Sequence, residues 1–335
     1  YFEAPGIGEE KVEKVLDAAH AIAFQTRRNL EVKKLTPEKQ KNRIWEESQP
    51  RFDPHQAIHK RKEWKPPELD RVPLEPDDDV LLFIRDHNDQ LSEWEKDLLT
   101  IVQEETEYFL PQIETKIMNE GWASLWHNRI LESLDLPQEL RLEFLVRHNQ
   151  VLRPLAGQIN PYYLGYKIFE DIEKRWESPT DEERREFGRP GGQGQEKIFQ
   201  VREIDRDVSF IRQYLTEGLI REMDLFQHEK RGDERVVTQV ADEENWKKIK
   251  ETLLKNIGTA ALPVIKVVDA DFLGERTLYL QHEYDGRELD LEYAEKTLKY
   301  TQQLWGFDVI LETYLDDKRH RLIHDGVQFS TKRAD

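Results

Sequence analysis

The chain has no cysteine. Disulfides and thiolate metal sites are therefore excluded, and a bound metal would need His, Asp or Glu ligands. Long apolar runs are also missing: no stretch approaches the ~20 residues of a membrane span. No secretory signal opens the sequence. It begins at Tyr1 rather than Met and enters helical sequence within a few residues, so an N-terminal truncation and a cytoplasmic address are expected. Basic side chains are the minority, 50 Lys and Arg against 68 Asp and Glu, for a formal charge of −18 at pH 7. That balance argues against a nucleic-acid partner and against an anionic membrane surface, both of which need clustered Lys and Arg.

What is present is enough to build cores. Hydrophobic residues make up 37% of the 335 positions, with 8 Trp and 14 Phe. The length predicts two or three domains. Residues 9–30 read as a helix, because Val12, Val15, Leu16, Ala19 and Ile22 recur at helical spacing. Residues 31–80 are rich in Pro and charge and read as a long irregular connection. "VLLFI" (80–84) reads as a strand or buried extended segment. Ser92 and Glu95 form a capping-box pattern before a helix that runs to about Tyr108. Pro111 then kinks that helix or opens the next, at about 111–133. Pro137 and the Asn160-Pro161 pair open two further helices, 137–152 and 160–176.

The charged, Gly- and Pro-rich stretch 178–197 is expected to be a linker or flexible loop. Beyond it the texture changes. Two hairpins, turning at "RGDE" and "LGER", alternate with amphipathic helices and further strands. The predicted fold class is α+β: a mostly helical region over 1–190, then an antiparallel-sheet α+β domain over 198–335 with two helices on one face. His228, His282, His320 and His324 fall on predicted strands and are expected to be exposed.

Chemistry concentrates in "TKIMNEGWASLWH" (115–127), where a Glu and a His stand among Ile, Met, Trp and Leu. Seven residues apart, Glu120 and His127 share one stripe of the helix, and the remaining sides are apolar too. A helix that is apolar all round is buried, and a buried carboxylate is costly unless it is paired, hydrogen-bonded or coordinated. Glu120 is therefore expected to have a partner within reach of His127. Gly121 beside it lets another backbone approach closely. His148 sits in the apolar face Leu140, Phe144, Val151 and Leu152 of its own helix. His87 and Asp89 form another polar pair at the edge of an apolar run. Two readings stay open. Glu120 and His127 bond each other or an arginine such as Arg129, Arg147 or Arg153. Alternatively, Glu120, His127, His148 and His87 hold zinc or another divalent metal, with Glu120 catalytic.

"HNDQLSEWEKDLLTIVQEETEYFLPQIETKIMNEGWASLWH", "LEFLVRHNQVLRPLAGQINPYYLGYKIFEDI" and "KIFQVREIDRDVSFIRQYLT" resemble the SpoVR (stage V sporulation protein R) family, over roughly 80–330. The resemblance implies a cytoplasmic protein with a role in spore cortex formation or stress response, acting through protein contacts. It also implies partners, a PrkA-type serine kinase and a von Willebrand-like protein. Longer family members carry an upstream H-x-x-x-H segment that this chain lacks. The "NEGWA" block is similar to a helix of zincin-type peptidases that supplies a Glu ligand. That implies an alternative function, an incomplete metal-dependent hydrolase acting on a peptide or cell-wall precursor.

Overall fold

The computed structural model of the protein describes residues 1–27, 35–49, 66–154, 159–225, 227–231, 234–239 and 245–334. The chain forms two compact units, Tyr1–Glu107 with Pro263–Asp335, and Tyr108–Leu262. The stretch 178–197 falls inside the second of these. The class is α+β, as the sequence predicts.

The first unit is built on a five-stranded sheet of β3 (Ile265–Phe272), β4 (Thr277–His282), β5 (Val309–Leu315), β6 (Lys318–His324) and β7 (Phe329–Arg333), in that spatial order. All neighbours are antiparallel except β4 and β5, which are joined by helix α13 (Leu291–Trp305) and so run parallel. A crossover helix is what a parallel pair requires. Strand alternation puts Val267, Leu280, Leu311 and Leu322 in one register row, and all four are buried. Helices α1 (Glu9–Ile22), α3 (Val80–His87) and α13 add Val15, Ile22, Phe83, Ile84, Leu298 and Trp305 to that core.

Four expectations change here. The connection expected over 31–80 contains a helix, α2 (Pro37–Ser48), which Pro37 opens and the Thr36 hydroxyl caps by accepting from Lys39 N–H. "VLLFI" begins α3 rather than a strand, because Asp79 caps it by accepting from Leu82 N–H at 2.9 Å and the segment buries Val80, Leu81, Phe83 and Ile84 at helical spacing. Only one of the two amphipathic helices expected on the sheet packs there: α12 (Trp246–Lys255) belongs to the second unit. His282 and His324 are buried, not exposed. Each shares the inward face with Leu280 and Leu322, and the Thr313 hydroxyl lies 2.9 Å from His282 Nδ1. Burial lowers the His282 pKa. His320 is half-buried. The side chain of His228 lies outside the described residues.

In the second unit the chain folds helix by helix. Ahead of α4 (Glu93–Glu114) the Glu95 half of the expected box forms: its carboxylate accepts from Ser92 N–H at 2.8 Å and from the Ser92 hydroxyl. Pro111 lies within α4, whose later part enters the second unit. Next come α5 (Lys116–Ser133), α6 (Gln138–Leu152) and α7 (Pro161–Glu177). Asn160 caps α7 by accepting from Tyr162 N–H at 3.0 Å, and its amide donates to Val151 O and Arg153 O. The expected linker contains a capped helix, α8 (Asp181–Phe187), with a reciprocal Thr180–Glu183 box. It is followed by α9 (Gly194–Ile204), α10 (Asp207–Tyr214) and α11 (Glu217–Glu222). A hairpin of β1 (Gln227–Arg231) and β2 (Glu234–Gln239) precedes α12, as predicted. The core collects Ile117, Met118, Leu125, Ile168, Phe169, Ile198, Phe210 and Ile220.

Candidate functional site

Helix α5 carries the opening stretch, and α7 decides how it is held. The two helices cross at Gly121 and Gly165. A Cβ at Gly121 would lie 2.3 Å from the Gly165 carbonyl carbon, and one at Gly165 would lie 2.1 Å from Ile117 O. No side chain fits at either position, so backbone meets backbone. The close approach read from Gly121 is present, and Gly165 in "NPYYLG" is its counterpart.

The N-terminus of α5 is capped from a distance. Thr115 makes no side-chain cap. Instead Asp207, at the first turn of α10 and 1% exposed, accepts from Ile117 N–H and Met118 N–H at 2.9 Å each. Burial pushes the Asp207 pKa up to about 6, while the backbone donors of Ile117, Met118 and Lys116 pull it down. This carboxylate was missed in the sequence. "REIDRDVSF" gives a mid-chain Asp among other charges, with no periodicity to mark it as buried.

Glu120 is half-buried and engaged by the Tyr162 hydroxyl. That hydrogen bond is the main cause that raises the Tyr162 pKa. Of the three arginines expected as partners, Arg129 pairs with Glu173 and Arg147 with Glu143. His127, on the same stripe, is exposed. Its ring packs edge-on against Phe144, 5.4 Å between centroids, and lies 6.3 Å from the ring of His148. His148 is 7% exposed. It also touches Phe144 at 5.5 Å and the Tyr166 ring, edge-on, at 5.8 Å. Burial lowers the His148 pKa, and His127 adds to the effect, so the imidazole is neutral at pH 7. Burial and a hydrogen bond to Glu170 raise the Tyr166 pKa, which keeps that phenol protonated.

The structure thus brings together His127 and His148, with Tyr166 and Glu170 as neighbours that sequence reasoning missed. The spacing of Tyr162, Tyr166 and Glu170 along α7 places all three one turn apart, which is the signal available. Glu120 stands apart, at the α7 N-terminus with Tyr162. His87 is in the first unit, where its ring stacks on Phe83 at 4.2 Å and Nδ1 lies 3.0 Å from Phe83 O. Asp89 is exposed nearby in sequence. Among the described residues no three His, Asp or Glu side chains are grouped so as to hold a metal. An open cleft of about 500 Å³ runs along α6 and α7, lined by Asn128, His148, Asn149, Tyr163, Tyr166 and Glu170 among others.

Residues 2–262 match the family described as SpoVR like protein. The chain belongs to that family. Residues 263–316 match the SpoVR-like C-terminal domain, which starts where the chain returns from the second unit to the first. The uncharacterized protein YcgB of Escherichia coli (strain K12) is 31% identical over 335 residues. The match takes in 92% of this chain but 65% of YcgB, so the chain spans just under two thirds of that relative's length. No solved structure matches. The family assignment agrees with the blocks "NEGWA" and "NPYYLG", which here meet at the Gly121–Gly165 crossing. No helix among the described residues is long and apolar enough to cross a membrane.

Proposed function

We propose that this family member acts through protein contacts in the cytoplasm, in sporulation or a stress response, and that α6 is its docking helix. One observation carries the reading. Helix α6 carries seven apolar residues among fifteen, on more than one side, yet among its residues only Phe144 and His148 are buried. Leu140 and Val151 on one side of the helix, and Leu142 and Val146 on the other, are each 48–56% exposed, and Ile130 and Leu134 near the end of α5 are exposed as well. A helix that leaves large aliphatic side chains exposed on two sides supports a reading as an interaction element. The partner candidates are those implied by the family resemblance, a PrkA-type serine kinase and a von Willebrand-like protein.

The test is a titration of each purified partner into this chain, followed by light scattering and calorimetry. A complex is expected with one of them, and Leu142→Glu with Val146→Glu should weaken it at least tenfold. Absence of any complex with either partner, or a complex indifferent to both substitutions, would reject the assignment of α6. The hydrolase alternative needs Glu120 turned from Tyr162 toward a metal and has no comparable support.

A further inference from the structure

We infer that the outer face of the five-stranded sheet carries a binding site for a phosphate group, held by Arg319, Arg321 and Lys332. The inference is independent of the α6 reading, because these residues lie in the first unit. Strand alternation sends Leu280, Leu311 and Leu322 into the core with α1, α3 and α13, so the residues next to them face the other way. On that outer face the register places Lys266, Gln281, Glu312, Arg321 and Lys332 in one row across all five strands. Arg319 follows on the same face of β6, two positions from Arg321.

The charges in this row are unbalanced. The whole chain has a formal charge of −18, yet β6 and β7 hold Lys318, Arg319, Arg321, Lys332 and Arg333 and no carboxylate. Arg321 and Lys332 stand directly opposite each other, and like charges so placed repel. Glu312, on β5, is shared by Arg319 and Arg321, and both contacts span 3.6 Å, too long for a hydrogen bond. Arg321 Nε is buried and has no hydrogen-bond partner among the described residues. A buried donor in that state is unusual and calls for an acceptor.

The guanidinium of Arg321 is held in place. It lies 5.6 Å from the ring centroids of both Phe272 and Tyr279, which stack on each other at 4.4 Å. It also hydrogen-bonds the Tyr279 hydroxyl, which itself donates to Glu312. The side chains of Arg319 and Arg321 remain 48% and 39% exposed, so their outer N–H groups can reach a ligand. Planar guanidinium forks match the oxygens of a phosphate, and Lys332 adds a point charge. Three cations against Glu312 leave two positive charges, the complement of a phosphate monoester, which carries about −1.5 to −2 at pH 7. The ligand is inorganic phosphate or a small phosphate monoester of the nucleoside type, for whose base the half-buried Phe272–Tyr279 pair offers an aromatic surface.

The experiment is titration of the chain with inorganic phosphate, and separately with AMP, at constant ionic strength in potassium chloride, followed through the amide NMR signals of β6 and β7. One saturable site is expected. Arg319→Gln and Lys332→Gln, at exposed positions where folding is retained, should each weaken binding about tenfold, the loss of one charge-assisted hydrogen bond. Glu312→Gln removes the competing carboxylate and should tighten binding severalfold, with circular dichroism confirming that the variant folds. Arginines occupied only in holding Glu312 would give no such gain. Lys266→Gln, in the same row but paired with Glu283, should leave binding unchanged. Tighter binding of AMP than of phosphate identifies a nucleoside monophosphate as the ligand class, and equal binding identifies the phosphate group alone. Signals that never saturate with either probe, or binding unchanged in both Arg319→Gln and Lys332→Gln, overturn the inference.

Discussion

Helices α5 and α6 are written in the same style and meet opposite fates. Each spreads apolar residues over more than one side, and each carries a histidine among them. Helix α5 buries Ile117, Met118, Gly121, Ser124 and Leu125. Helix α6 buries two residues, Phe144 and His148. The difference lies in the neighbour. At Gly121 the α7 backbone comes close enough to exclude a Cβ on either side, and large side chains on both flanks then interlock. Helix α6 has no glycine; it meets α7 through the His148 ring against Tyr166 and through the Asn160 amide on Val151 O and Arg153 O. Hydrophobic content states a demand for burial, but the backbone spacing of the partner decides whether it is met within one chain.

The contrast can be broken at its tight end first. Gly165→Ala places a methyl group against Ile117 O, where no flexible side chain can yield. A loss of about 3 kcal/mol is expected, at the top of the overpacking range, read by urea unfolding with hydrogen exchange in α5 and α7 as the local probe. A loss below about 1 kcal/mol would mean the helices can part without penalty, and the comparison with α6 would fail.

The second prediction concerns the anchor of α5. Asp207→Asn leaves a buried helix terminus with one acceptor where it had two, and should cost about 2 kcal/mol. It also carries a pH signature. The folded pKa, near 6, lies above the ordinary carboxylate value, so the folded chain holds an extra proton between roughly pH 4 and pH 6. The contribution of this group to stability is therefore full at the acid end and falls as pH rises through that window. Asp207→Asn should remove that part of the slope. An unchanged pH profile would show that Asp207 does not titrate in the folded chain as described.

At the loose end the expected effects are small. Val146→Glu, at a position 56% exposed, should change stability by no more than about 0.5 kcal/mol, and a loss above about 2 kcal/mol would mean that α6 is packed after all. Smallest of all is Arg147→Ala. Its pair with Glu143 spans 3.6 Å between side chains 74% and 64% exposed, so a change of about 0.3 kcal/mol is expected in thermal unfolding.

Local signals in the sequence served well. The Ser92–Glu95 box, the Asn160-Pro161 start, both hairpins and the α+β class were legible, because each depends on residues within a few positions of one another. Glycine 121 announced a close approach without naming its counterpart. The failures share a cause. "VLLFI" was five apolar residues, too few to separate strand from helix by periodicity, and the side-chain cap from Asp79 settled it. His282 and His324 looked exposed because polar residues flank them, although period-two alternation turns them inward with Leu280 and Leu322. In the candidate site the carboxylate and the imidazole of one stripe separated, Glu120 to Tyr162 and His127 to His148.

By itself, then, the sequence determined the family, the class, the helix starts and the ligand types on offer, since these rest on composition and on short-range hydrogen bonding. Which groups meet was decided by tertiary structure alone. Asp207 reaches the α5 terminus across about ninety residues of chain, and His148 finds His127 on another helix. Periodicity fixes the face a side chain points to, but the element that covers that face is set by long-range packing.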